Sequence, residues 1–432
     1  DRGNMVTQED ALGRVTRYVF DEAGRRTSRT LPLLQRETLT HAADGTLATR
    51  TSFGGALTEH ERGHDPSTGH RQDVVHLPPG ETDIVTTYWG DGQRHVVTDS
   101  SGTTTHGRDL TTGRLTSVTR DEATTGGLDS ALTYGHDLSG NVTSIATSVN
   151  GNPAHVVTRE HDAAGRLTEV SDALGRAEYE YTPSGQLWRL RYYQGLATEP
   201  FVVGEYEHDA LTGGIQSITW RAGSLAPGVP GPVLRSFTYE LDEMGRRTAA
   251  TETQAGGGTR VVTWTSDDLY RLESESVTEA DLSQWAVAYG YDRVGNRLTR
   301  ERTGTDPGSV AYTFDANDRL LGVNEQDYDW DAEGNLSSRD GSEAYDWDAQ
   351  DRLTGIEGWS FVYDANGLKR VATSPAGTVT PQVVDESFPH AQVIEERWSE
   401  GPASRVKRYL RGAQPVRIDV DGQSWWYLHD AL

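Results

Sequence analysis

Three histidines and a glutamate at fixed spacing are the sharpest chemical signal in the chain. The stretch HERGHDPSTGH, from His60 to His70, sets His60, Glu61 and His64 in the order HExxH, with His70 at a third-ligand spacing. On a helix His60 and His64 would share one face and bind zinc with His70, and Glu61 would act as general base in peptide hydrolysis. The flanks oppose that reading, because SFGGALTE before and DPSTG after carry the glycines and proline that break helices. Ser67 stands where such proteases have glycine. Neither Met5, ahead of the site, nor Met244, inside DEMGRR, is placed to form their methionine turn. HDPSTGH also lies over RDLTTGR from Arg108 and HDALTGG from His208, with arginine and glycine in the outer histidine places. A turn explains the spacing better than a metal does, so His60, His64 and His70 are weak metal candidates and no cofactor is expected.

The other constellations are weaker. Asp327, Asp329 and Asp331 in DYDWDAEGN imitate the start of a calcium loop, but Ala332 and Ser338 stand where that loop needs glycine and a bidentate glutamate. Their alternation with aromatics suits a strand with a solvated acidic face. The stripe Tyr289, Tyr291, Trp330, Tyr345, Trp347 and Tyr363 could stack sugars, yet its spacing fits packing between hairpins. Carboxylate pairs for glycoside hydrolysis can be drawn at will from 65 acids, so they carry no signal. No nucleophile elbow, phosphate-cradling loop or basic aromatic patch occurs. No catalytic residue is assigned, and the chain is expected not to be an enzyme.

Bulk composition narrows the class. Forty basic against 65 acidic residues leave a formal charge of -25, which repels nucleic acid and anionic membrane. Only 34% of the residues are apolar, against roughly 45–50% in an average domain on a count that includes glycine, so a thick solid core is not expected. Eleven tryptophans and 18 tyrosines are too many for a disordered chain, and 47 glycines imply many turns. Without cysteine there is neither disulfide nor thiolate metal site. No apolar run reaches the ~18 residues of a membrane span, and the N-terminus lacks the pattern of a signal peptide. Because the chain opens inside a phrase, DRGNMV, and stops at WWYLHDAL, it is read as a segment of something longer.

The element that must position any site is a repeat. The phrase D-x-x-G-[RN] occurs at Asp10–Gly13, Asp21–Gly24, Asp137–Gly140, Asp162–Gly165, Asp172–Gly175, Asp242–Gly245, Asp292–Gly295 and Asp331–Gly334. Looser copies begin at Asp109, Thr182, Asp315, Asp348 and Asp364. In the C-terminal part the starting aspartates fall at 292, 315, 331, 348 and 364, a period that suits one hairpin and its return. Aspartate at the head of a turn accepts hydrogen bonds from amides ahead of it, and glycine supplies the positive φ that closes it. Flanking alternation, as in Tyr345-Asp346-Trp347, makes the arms strands. A lone hairpin is unstable, so twenty or so strands in succession should form one continuous sheet, and a sheet that long must curl. A β-propeller would need a more regular period.

These phrases, spread from Asp1 to Gly367, resemble the YD repeat of the RHS-repeat family, which includes bacterial Rhs polymorphic toxins, the C component of insecticidal ABC toxins and the teneurins. The resemblance implies an all-β fold in which repeat hairpins wind in a spiral as a large curved sheet, forming part of a hollow, cocoon-like shell. Residues 1–370 would be the repeat shell and 371–432 irregular strands leading into a truncated RHS core, with WWYLHDAL similar to the phrase just ahead of that core. It implies a non-enzymatic wall that encapsulates a covalently linked C-terminal toxin or effector for secretion and delivery in interbacterial competition. Partners would be that effector and the remaining shell and plug segments, with no nucleic acid and no membrane insertion. The location would be secreted or cell-surface. The downstream self-cleavage motif and the toxin are not in these residues. The alternatives are a teneurin-like adhesion or carbohydrate-binding surface module, and the zinc protease above.

Overall fold

The computed structural model describes residues 3–223 and 229–430; Asp1 of the first phrase and the final two residues of WWYLHDAL lie outside the described residues. The described residues form 38 strands and no helix. Every described pairing is antiparallel and joins strands consecutive along the chain. The all-β expectation holds, with more strands than anticipated. Most copies of the phrase close turns at one end of the hairpins, and the other end usually turns without it, as at Gly256 and Gly257, whose φ angles are 98° and 92°. Asp10 with Asp21, and Asp162 with Asp172, head turns at both ends of one strand.

Period-two alternation makes these segments strands. In Gly175–Tyr181, Ala177 and Tyr179 are buried while Arg176, Glu178 and Glu180 take the opposite face. The register with Leu187–Gln194 sets Ala177 against Tyr192 and Tyr179 against Leu190, so both strands bury the same side. On the polar side, Arg176 pairs with Glu178 along its own strand at 3.0 Å, and ion pairs cross the strands from Arg189 to Glu205 at 3.2 Å and from Arg221 to Glu205 at 3.4 Å. Each adds only about 0.2–1 kcal/mol, but together they fix which face is which.

The residues cluster into two compact units. The first holds residues up to 133, 147–154 and 312–407; the second holds 134–146, 155–311 and 408 onward. This division follows turns that meet across long sequence separations and is separate from the expected division between repeats and core-leading strands at 370/371. Within the first unit, late turns dock on early ones. Asn317 accepts from the Leu33 amide at 3.3 Å and donates to Gln35 at 3.0 Å. The Glu333 carboxylate accepts from the Phe53 and Gly54 amides at 3.1 and 2.7 Å and from the Ser52 hydroxyl. The Ala349 amide donates to Glu81 at 2.8 Å.

The second unit carries the main apolar core, built on Val170, Leu190, Tyr192, Ile218, Trp220 and Tyr239. Its C-terminal segment packs on that core. Leu410 and Val416 are buried in it, and the Trp426 ring lies 4.9 Å from Tyr192. The Tyr192 hydroxyl donates to the Tyr427 carbonyl at 2.9 Å, and the Trp220 indole N–H donates to the His429 carbonyl at 2.8 Å.

Candidate functional site

The repeated phrase is a clasp, and each of its residues has a separate task. At Asp10 the amide of Gly13 donates to the Asp10 carbonyl at 3.0 Å and the Asp10 amide donates to the Arg14 carbonyl at 3.0 Å, closing a tight loop. Oδ1 of Asp10 accepts from the amides of Leu12 and Arg14, at 2.8 and 2.9 Å, while Oδ2 takes the Arg14 Nε–H at 2.6 Å. The same set recurs at Asp21, Asp162 and Asp242. Asparagine replaces arginine as the side-chain donor at Asp137, Asp292 and Asp331. The glycines of these seven copies have φ between 78° and 103°, where a side chain is strained. The Arg25 amide, against the opposing effect of burial, holds the Asp21 carboxyl below the usual carboxylate range, aided by its guanidinium.

Arginine then reaches the next clasp on the same edge. Nη1 donates to the carbonyl heading the following turn, from Arg271 to Asp292 at 2.9 Å, from Arg319 to Asp331 at 3.3 Å and from Arg352 to Asp364 at 2.6 Å. Its guanidinium lies over the aromatic that precedes that next aspartate: Arg271 over Tyr291, Arg319 over Trp330 and Arg352 over Tyr363, at 4.8, 5.9 and 5.5 Å. The aromatic in turn donates back to the main chain of the preceding copy. Tyr291 reaches the Leu272 carbonyl at 2.7 Å, Trp330 that of Leu320 at 2.7 Å and Trp347 that of Leu336 at 2.8 Å. This is why the chain keeps writing aromatic, aspartate, two free residues, glycine, and arginine or asparagine. Tyr291, Trp330, Trp347 and Tyr363 of the aromatic stripe are thus committed to joining hairpins, while the Tyr345 hydroxyl donates to Glu343 on its own strand.

Asp172 and Gly175 depart from this pattern. They pair directly across a two-residue loop, and Gly175 is nearly extended at φ 159°. A Cβ on Gly175 would meet the Tyr193 carbonyl oxygen at 2.3 Å. Arg176 turns away to Glu178, which frees Oδ2 of Asp172 to take Nη2 of Arg417 at 2.6 Å. The His155 ring Nε2 is 3.3 Å from the same oxygen, and Arg417 Nε donates to Asp419 at 2.8 Å. The Arg417 side chain is 0% exposed and that of Asp172 is 1%. Burial pushes the Asp172 carboxyl up, but the His155 and Arg417 contacts outweigh it and hold the group at about 2. This buried latch fastens Pro415–Val420 to the hairpin loop at Asp172. No local pattern announces it, since its partners lie 245 residues apart.

The structure separates the metal candidates. His60 and His64 lie on the strand Leu57–His64, opposite Val75 and Arg71, about 13 Å apart along an extended chain instead of one helical turn. His70 turns to His95, Nδ1 to Nδ1 at 3.1 Å, and Glu61 reaches His76 at 3.4 Å. The zinc-protease alternative therefore lacks its helix and its convergence. Asp329 accepts from Ser338 at 2.7 Å, the Asp327 amide donates to Asp340 at 2.9 Å, and Asp331 caps its own turn, so those three carboxylates do not converge either. Among the described residues, no group of three or more metal-ligating side chains could hold an ion. Sequence reasoning missed several turns whose αL position is not glycine, including Leu34, Tyr270 and Leu282, with φ of 72°, 63° and 69°. Asp267 and Arg271, at the clasp's own spacing, are the signal that could have found the turn at Tyr270.

Residues 1–33 and 161–193 match the family model described as RHS Repeat. No curated protein sequence matches the chain. Among solved structures, TcdB2–TccC3 without its hypervariable C-terminal region superposes with a TM-score of 0.69 at 16% identity, over 99% of this chain and 26% of that one. TcdB2–TccC3–Cdc42 gives 0.68 at 14% identity, over 96% and 25%. The Tc holotoxin pore of Photorhabdus luminescens, with a mutated TccC3, gives 0.66 at 14%, over 93% and 24%. The chain thus spans about a quarter of the length of the structures it matches. The resemblance read from the repeated phrase stands: the chain carries RHS repeats and has the fold of the RHS shell seen in these TcdB2–TccC3 structures.

Proposed function

We propose that the chain is a non-enzymatic wall segment of an RHS shell, which encloses a C-terminal effector joined to the same polypeptide until delivery outside the producing cell. The observation that carries this reading is the match of nearly the whole chain, 99% of it, to the TcdB2–TccC3 fold. The construction supports it. Consecutive antiparallel pairing leaves no gap between neighbouring strands, and each clasp locks one hairpin to the next. Such a wall screens a folded cargo from substrates and proteases by exclusion alone, without a catalytic residue. The charge of -25 would keep so large a β surface soluble and discourage edge-to-edge pairing. The expected partners are the attached effector and the shell and plug segments that complete the wall.

Protease protection of the full-length gene product tests this. A segment downstream of Leu432 should resist trypsin in the native protein and be cleaved at least a hundredfold faster when expressed alone. Equal rates would refute enclosure. A glycan or receptor retained by the native protein, with a readily cleaved downstream segment, would favour a surface adhesion module.

A further inference from the structure

A cavity of about 320 Å³ lies inside the second unit, between the apolar face of the sheet and the returning segment 413–416. Leu187, Leu190, Ile215 and Val416 give it an aliphatic lining, and Tyr179, Tyr192 and Tyr206 add aromatic rings. No aspartate, glutamate, lysine or arginine lines it, and its two imidazole rings are those of His208 and His429. Most of its polar atoms are already engaged. The Tyr192 hydroxyl donates to the Tyr427 carbonyl at 2.9 Å, and Nε2 of His208 and of His429 face the carbonyls of Leu187 and Pro415 at 2.7 and 2.6 Å. Tyr206 is the exception. It is 8% exposed, its hydroxyl is buried, and that hydroxyl has no hydrogen-bond partner among the described residues. Burial raises its pKa, so it is a neutral hydroxyl able to donate at physiological pH.

A buried hydroxyl without a partner is costly, and a protein interior seldom keeps one without cause. An engineered apolar cavity of about 150 Å³ holds one benzene ring, so the space here suits two fused rings. We propose that this cavity is a binding site for a small neutral molecule of two fused aromatic rings that presents one hydrogen-bond acceptor to Tyr206. Charged ligands are disfavoured, because no carboxylate, lysine or arginine lines the cavity and Nε2 of both histidines is already engaged by carbonyls.

Quinoline and naphthalene test this, being nearly the same shape and differing in one ring nitrogen that can accept from Tyr206. Saturation-transfer NMR on the folded chain should show both bound, with quinoline the tighter. Tyr206→Phe should weaken quinoline about tenfold, the worth of one hydrogen bond that relieves a buried donor, and leave naphthalene unchanged or tighter. Ile215→Trp, filling the cavity from the sheet side, should abolish both without lowering the melting temperature. Should that variant fail to fold, Val416→Phe fills the cavity from the opposite wall and gives the same readout. Failure of the native chain to bind either probe up to its solubility would overturn the proposal. So would binding that survives filling, or a Tyr206→Phe variant that weakens both probes equally.

Discussion

Replacing Arg417 with methionine keeps the length of the side chain and removes, among the described residues, the only cation in contact with both Asp172 and Asp419. Those carboxylates are 1% and 5% exposed, so water cannot take over. Holding Asp172 at about 2 instead of its ordinary 3.8 corresponds to about 2 kcal/mol at neutral pH, part of it owed to His155. Stranding Asp419 adds to this, and one-sided removal of a buried pair typically costs about 3–5 kcal/mol. A local loss of about 3 kcal/mol accelerates exchange from the opened state about a hundredfold. Hydrogen–deuterium exchange should therefore show faster exchange in peptides covering Pro415–Val420 and Gln423–Trp426. Peptides from the first unit should not change. A companion variant, Arg417→Met with Asp172→Asn and Asp419→Asn, removes the stranded charges, and Oδ1 of residue 172 can still accept the Leu174 and Gly175 amides. It should recover most of the protection, because buried ionic networks are often replaceable by neutral groups. Unchanged exchange in Arg417→Met, or a triple variant no better than the single one, would refute the latch.

The latch also has a pH signature. Since the folded pKa of Asp172 is lowered, its contribution is complete above pH ~4 and lost as pH falls through about 2, so pepsin should cut within 408–430 far faster at pH 2 than at pH 4. Leu282, 79% exposed with φ 69°, should be better as glycine, and Leu282→Gly is expected to raise stability by about 0.5–1 kcal/mol in urea titrations. Gly165→Ala, at φ 78°, should lower it by about 1 kcal/mol in the same assay. Tyr291→Phe keeps the ring under Arg271 but loses the bond to the Leu272 carbonyl, an expected loss of about 1 kcal/mol.

The clasp was legible because it is local. Asp10, Gly13 and Arg14 interact within five residues, so turn chemistry could be read from their types alone. What arginine and the aromatic add was not legible. Arg319 reaches the head of a turn 12 residues on, a distance that depends on the lengths of two strands. The docking of Glu333 on Ser52, Phe53 and Gly54 spans about 280 residues, and no periodicity encodes which turn meets which. Asp172 matched the phrase letter for letter yet makes a different loop, because register with the strand ahead and the buried Arg417 overrode local preference. HExxH misleads for the converse reason: at His60 a strand is enforced by pairing with Arg71–His76 on the other side.

The clasp has a consequence for how such chains lengthen. At Arg271, Arg319 and Arg352 arginine couples a turn to the next turn on the same edge, two strands away, whereas Arg14 reaches the Asp315 turn 301 residues on. Inserting or deleting a single strand would send every later aspartate turn to the opposite edge and break the coupling that spans the change, while couplings among the later turns persist. A pair of strands can be added or lost with all remaining couplings intact. Length change in this architecture is therefore favoured in whole hairpins, because an odd-numbered change severs the coupling where it falls and carries later turns away from the edge on which they dock.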